Sequence, residues 1–275
     1  MVIYILDIVK QLNRKEDPMK KTSIQCIGMI HLKALPTTAN NQHSYEEIFL
    51  AAVHDLKTLE EAGFDAAIVE NMFDIPYQLT LPQEVLISYT AIFARLQAIA
   101  KIPLGVNLQL TNHDEEMMIA SLCNGAFIRA ENFVETRISA SGTLNPLAPK
   151  LLHAKKRYQS NVLIFADVAV KHTLPLVDQS IESLISQAID ACADAIILTG
   201  SATGHSPSLK DAVLYKSVAK DFPIFIGSGI NESNVFDFLQ IADGIIVGSS
   251  IKKDGIVENP IDPIRASKLI QATKR

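Results

Sequence analysis

Eight short apolar runs punctuate this chain, and stretches of helical period separate them. The runs are Gln25–Ile30, Ala66–Val69, Leu104–Leu108, Ala126–Arg129, Val162–Ala166, Ala195–Leu198, Pro223–Ile226 and Gly244–Val247. They are continuously apolar rather than alternating, which is the pattern of parallel strands covered by helices. Eight strand–helix units without a composition break predict one closed (β/α)8 TIM barrel in the α/β class. The length of 275 residues is typical of that domain. A doubly wound open sheet is the alternative topology.

The helices carry their own punctuation. Ser44 and Glu47 form a capping box; Ile48, Ala52, Leu56 and Leu59 then share one face, and Gly63 marks the stop. Thr80 and Gln83 are expected to cap the second helix, striped by Val85, Tyr89, Ile92, Leu96 and Ile99. Asn112 and Glu115 are expected to cap a third helix, ending near Asn124-Gly125. The stretch from Glu131 to Pro149 reads as irregular, with a helix over Leu151–Tyr158 after it. Ile181, Ile185, Ala188 and Cys192 stripe the next helix, and Ser208 opens the one after strand six. Asn231 is expected to start the seventh helix, and Asp262 with Pro263 the last.

A net charge of −5 argues against a nucleic-acid surface, but it permits an anionic ligand held by a local nest of N–H groups. Cys26, Cys123 and Cys192 are scattered, without zinc or disulfide spacing. Half-buried thiols imply a reducing, cytoplasmic setting. Residues 1–21 read as a non-core extension before a barrel domain over 22–275. Asp7 and Lys10 interrupt the apolar start Met1–Leu6, which is too short to span a bilayer, and Met19 reads as a second start. Peripheral membrane contact is the use such an extension suggests. A homo-oligomer is open to the fold, and the sequence does not set the number of copies.

In a barrel of this type the site lies at the C-terminal ends of the strands. Strand two ends in Glu70-Asn71 with Asp74 beyond, two carboxylates and an amide suited to acid–base work. Asp74 reads equally well as a turn cap before Pro76. Asn107 ends strand three and is expected to reach the pocket. Arg129 follows a buried run, so it needs a substrate anion or a carboxylate such as Glu70 or Asp167. Strand five ends in Asp167, Lys171 and His172: a carboxylate, an amine suited to base or Schiff-base chemistry, and an imidazole. Thr199 and Gly200, followed by Thr203-Gly204, read as a loop that closes over a ligand. His31 sits at the mouth after strand one. No cofactor motif and no metal constellation stand out. Glu70, Asp74 and Asp167 are ligands that suit Mg²⁺, although their spacing does not require it.

Two small-residue turns close the list. Gly227-Ser228-Gly229 follows strand seven and Gly248-Ser249-Ser250 follows strand eight. Glycine lets backbone N–H groups approach an anion, and this is where many barrels of this fold hold phosphate. A phosphorylated small molecule is the ligand these turns predict.

The same residues carry a family resemblance. Ile27-Gly28-Met29-Ile30-His31-Leu32, Val69-Glu70-Asn71 with Asp74-Ile75-Pro76, and Pro103-Leu104-Gly105-Val106-Asn107 resemble the BtpA/SgcQ family. So do Phe127-Ile128-Arg129, Ala166-Asp167-Val168 with Val170-Lys171-His172, Thr199-Gly200, Gly227-Ser228-Gly229, and Asp243–Gly248 with Lys252 and Asp254-Gly255. The resemblance spans about Cys26 to Ala266. It implies a TIM barrel and a link to photosystem I biogenesis, in which a cyanobacterial member is a peripheral thylakoid protein. It also implies sugar-phosphate metabolism, because other members occur beside such genes in bacteria that do not photosynthesise.

The chain departs from that pattern at Gln109–His113, where an arginine and an acid are missing. It departs again at Ala130-Glu131-Asn132 and at Glu135–Gly142. Three functions follow as expectations. One is an isomerase, epimerase or aldolase-like enzyme, with Glu70, Asp167 and Lys171 moving protons. The second is a non-enzymatic assembly factor docking through the extension. The third is a barrel that binds a phosphate ligand without turnover.

Overall fold

The computed structural model describes residues 25–170, 172–200 and 206–274. Its strands in chain order are β1 (Cys26–His31), β2 (Ala66–Glu70), β3 (Leu104–Asn107), β4 (Phe127–Ala130), β5 (Arg137–Ser139) and β6 (Gly142–Leu144). They continue with β7 (Leu163–Val168), β8 (Leu174–Pro175), β9 (Ala195–Thr199), β10 (Ile224–Gly227) and β11 (Gly244–Val247). The α-helices are α1 (Tyr45–Ala62), α2 (Gln83–Gln97), α3 (Glu115–Leu122), α4 (Ala148–Arg157), α5 (Ile181–Asp190), α6 (Leu209–Ala219), α7 (Val235–Leu239) and α8 (Pro263–Ala272).

Eight parallel strands close into a barrel in the order β1-β11-β10-β9-β7-β4-β3-β2. Closure is read in the register of β1, which pairs Ile27 with Ile246 on one side and with Ala66 on the other. The expected TIM barrel is therefore the fold, and the open sheet is excluded. Strand alternation divides the apolar residues into two layers. Ile27, Met29, Ile68, Phe127, Phe165, Ile197, Phe225 and Ile246 fill the barrel. Phe165 stacks between Phe127 and Phe225, with ring centroids 4.7 and 4.9 Å away. Gly105 and Gly244 make room for this: a Cβ on either would lie 2.3 Å from Phe127 or 2.4 Å from Phe225. Outward-facing residues such as Ile30, Val69, Val106 and Ile128 pack under the helices. Ile48, Ala52, Leu56 and Leu59 on α1 are buried as their spacing predicts, each larger side chain contributing about 1.5–3 kcal/mol.

Several local expectations are corrected. Pro82 precedes α2 in extended conformation without a side-chain cap, and Thr80 Oγ1 instead lies 2.9 Å from His113 Nε2. Ile99 falls beyond the end of α2 and is exposed. Asn112 does not cap α3, which starts after Asp114; its side chain donates to Thr143 O and accepts from Asn145 N. Cys192 lies past α5 and is exposed, whereas Cys26 is buried, and burial pushes its thiol up to about 12. Asn231 turns the chain ahead of α7, which has only five residues. The stretch read as irregular holds the β5–β6 hairpin, which β8 extends to a three-stranded antiparallel sheet.

Among the described residues no helix is long and apolar enough to cross a membrane. The extension over residues 1–21 lies outside the described residues.

Candidate functional site

The C-terminal mouth of the barrel opens into a cavity of about 480 Å³. One wall is charged. Glu70 ends β2 with its Oε2 3.3 Å from His31 Nε2, and its Oε1 accepts from Gln109 Nε2. Arg129, on β4, donates from Nε and Nη2 to Asp167 Oδ2 on β7, at 3.1 and 2.9 Å. Both residues of this ion pair are buried, because inward parity on neighbouring strands points them at the same axis. Burial opposes the Arg129 charge, but Asp167, Glu131 and Glu70 hold its guanidinium above the ordinary value.

Glu131, one residue past β4, also lines the cavity, and its Oε2 accepts from Leu110 N at 3.2 Å. Its carboxyl is pushed up to about 7. Burial is the main cause, Arg129 opposes it, and the charges of Glu70 and Asp167 add to it. Tyr77 lines the same cavity and donates to Met72 O at 2.6 Å. Burial, with Glu70, Glu131 and Asp74 nearby, raises its phenol above the ordinary range.

The opposite wall is backbone. Gly227 at the end of β10, Ser228 and Gly229 beyond it, and Gly248 and Ser249 after β11 line it. Ser228 and Gly229 both have positive φ, 68° and 64°, so the turn reverses in left-handed conformation. Gly248 lets His31 in: a Cβ there would meet His31 Cε1 at 3.0 Å. Leu110 (φ 53°), His172 (φ 60°) and Ser228 are non-glycine lining residues in the left-handed region. Such strain, about 1–2 kcal/mol each, concentrates at functional sites.

The antiparallel sheet roofs part of the mouth through Ser139, Ala140 and Ser141. Arg137 holds it there, bonded to Glu135 Oε2 at 2.7 Å and to Thr173 O at 3.1 Å, with both charged groups buried.

Of the residues singled out from the sequence, the cavity collects His31, Glu70, Arg129, Asp167, His172, Gly227, Ser228, Gly229, Gly248 and Ser249. Others are displaced from it. Asp74 accepts from Leu35 N at 2.7 Å and from Asn71 Nδ2 at 2.9 Å, while Asn71 Oδ1 accepts from Gln109 N at 2.8 Å. These two form a clamp that holds loops, and neither lines the cavity. Asn107 is fully buried and donates to Arg129 O at 3.2 Å, beneath the site rather than in it. Ser250 Oγ donates to Ile230 O at 2.5 Å and faces away. Thr199 ends β9 and Gly200 follows it, and neither lines the cavity. Lys171 and the Thr203-Gly204 pair lie outside the described residues. Asp74 stands apart from Glu70 and Asp167, so the three do not form a Mg²⁺ site. Among the described residues no three His, Cys, Asp or Glu side chains are grouped to hold a metal.

Sequence reading did not nominate Glu131, Gln109 or Tyr77 for the site. The first two lie where the chain departs from the family pattern, which was the available signal.

A sequence model described as the BtpA family matches residues 21–275. The chain belongs to the BtpA family. An uncharacterised protein of Pyrococcus furiosus is 35% identical to it over 246 residues, covering 89% of this chain and 93% of that one. The photosystem I biogenesis protein BtpA of Synechocystis is 36% identical over 248 residues, covering 90% and 86%. Among solved structures, N-(5'-phosphoribosyl)anthranilate isomerase from Pyrococcus furiosus aligns with a TM-score of 0.56 and 16% identity, over 91% of this chain and 98% of that one. That likeness shows the fold.

Proposed function

We propose that this BtpA-family barrel is an enzyme that moves a proton on a small phosphorylated, sugar-derived metabolite, in an isomerase, epimerase or aldolase-like step. The observation that carries this reading is the opposition of the two walls. The Gly227–Gly229 and Gly248-Ser249 turns offer backbone to a phosphate, and Glu70, Asp167 and Arg129 face them across one cavity. Backbone N–H groups suit a multiply charged anion, whereas the carboxylates of Glu70 and Asp167 repel it. Polarity therefore orients the ligand, phosphate to the glycines and carbon skeleton to the acids. Asp167, held by Arg129, accepts the proton; Glu70, held by His31 and Gln109, binds hydroxyl groups or takes part in the transfer. The isomerase of the same fold acts on a phosphoribosyl compound by its name, which agrees with a phosphate at this mouth.

A second reading, an assembly factor, is favoured by the likeness to the Synechocystis photosystem I biogenesis protein. A relative of nearly the same identity in Pyrococcus furiosus is uncharacterised, and the enzymatic reading is kept first because of the two facing walls.

The test is a thermal-shift screen of phosphorylated sugars, followed by NMR of the hits in D₂O. A ligand at 100-fold its Kd stabilises by about 2.7 kcal/mol. One sugar phosphate is expected to raise Tm and exchange a C–H proton. Asp167→Asn should bind it without exchange, and Gly229→Glu should not bind it. If no phosphate ester shifts Tm, the assembly reading takes precedence.

A further inference from the structure

Three carboxylates reach this cavity, and the structure does not supply them equally. Asp167 has the guanidinium of Arg129. Glu70 has His31 and the amide of Gln109. Glu131 is just as buried, yet its only hydrogen-bond partner among the described residues is the backbone N–H of Leu110. Among the described residues, these groups bear on its charge. Arg129 on its own strand attracts it, but that guanidinium is already committed to Asp167. Glu70 from β2 and Asp167 from β7 repel it. Tyr77 from the loop after β2 is a neutral phenol. Glu116 from α3 is buried as well, and burial lifts its carboxyl well above the ordinary value, with the Glu131 charge adding to the rise. Three carboxylates in one buried mouth raise one another, and among the described residues Glu131 is the one held only by a backbone N–H, so it is the one that keeps its proton.

We propose that Glu131 is the proton donor of this site, a carboxylic acid working beside the Arg129-paired Asp167 of the neighbouring strand. This assignment rests on the enzymatic reading above and deepens it. It makes the substrate class an aldose or ketose phosphate, or a close analogue, with a carbonyl beside the carbon that loses its proton. The C–H bond breaks, its electron pair forms the carbon–carbon double bond of an enediol, and the proton passes to Asp167. The carbonyl π pair takes the Glu131 proton onto oxygen, leaving Glu131 as a carboxylate. Return of a proton from Asp167 to the neighbouring carbon, and of a hydroxyl proton to Glu131, restores both groups. The raised Glu131 carboxyl, near 7, agrees with this division of roles because a donor works best close to the ambient pH.

The test follows glutamate carboxyl resonances by NMR in the full chain labelled with ¹³C-glutamate, from pH 4 to 9, with 2-phosphoglycolate as the probe ligand. Its carboxylate stands in for the enediolate oxygens and its phosphate for that of the substrate. Glu131→Gln identifies the resonance, Glu116→Gln identifies the other high-titrating one, and Glu131→Asp serves if the amide variant does not fold. The expected result is a Glu131 resonance titrating near 7. Binding of phosphoglycolate should weaken about tenfold per pH unit above that point in the wild type and stay flat in Glu131→Gln. A Glu131 resonance titrating in the ordinary range near 4 overturns the donor assignment, whether or not the probe binds. A resonance near 7 with no binding of the probe supports the neutral acid and counts instead against the phosphate reading. Binding with the same pH dependence in wild type and Glu131→Gln overturns the donor role.

Discussion

On the wall formed by β2, β3, β4 and β7 the cavity meets side-chain charge, and on the wall formed by β10 and β11 it meets main chain. The charged wall is a network in which Arg129, Asp167, Glu70, His31 and Gln109 hold one another, so each residue's state depends on its neighbours. The glycine–serine wall depends on conformation: left-handed Ser228 and Gly229, and a glycine at 248 that leaves room for His31. One wall should therefore respond to charge and pH, and the other to sterics alone.

The largest effect expected from breaking this contrast is at Arg129. Arg129→Met removes the guanidinium that pairs with buried Asp167, which costs about 3–5 kcal/mol. Urea denaturation at pH 7 measures it, and the double variant with Asp167→Asn should recover part of the loss. Equal losses in single and double variants would mean that packing, not charge, holds that wall.

A smaller effect separates the walls by pH. The Glu131 carboxyl is raised to about 7 in the folded chain, so between its ordinary value and 7 the native state binds more protons than the unfolded state. Stability therefore falls as pH rises through that window. The stability difference between wild type and Glu131→Gln should change by roughly 2–3 kcal/mol from pH 4.5 to 8. Glu116 adds a slope of the same sign, and because the Glu131 charge contributes to its shift, the comparison is made with Glu116→Gln in both backgrounds.

The smallest effect belongs to the other wall. Gly229→Ala places a side chain at φ 64° and should cost about 1 kcal/mol, by the same amount at pH 5 and pH 8. A pH-dependent cost would show that this turn, too, is held electrostatically.

Much of this was legible in the chain. The eight apolar runs, the capping box at Ser44 and the stripe of α1 are local signals, and each sits where its spacing places it. Most strand-end residues named as candidates reach one cavity, because parity on a barrel strand follows from the residue count. The failures share a cause. Asn71 and Asp74 look like pocket residues, yet they bond to each other and to Leu35 N and Gln109 N, partners from other loops. The β5–β6 hairpin was missed because its strands are three residues long and are completed by β8, some thirty residues later.

The sequence by itself determined the alternation of strands and helices, the single barrel, the family and the glycine–serine turns, since these are written in spacing and residue type. Only the tertiary structure decided how charge is distributed among Glu70, Glu131 and Asp167. The ionisation of a buried carboxyl depends on which groups stand across the mouth and how completely water is excluded. Those neighbours lie tens of residues away along the chain, so the deciding distances exist only once the barrel has closed.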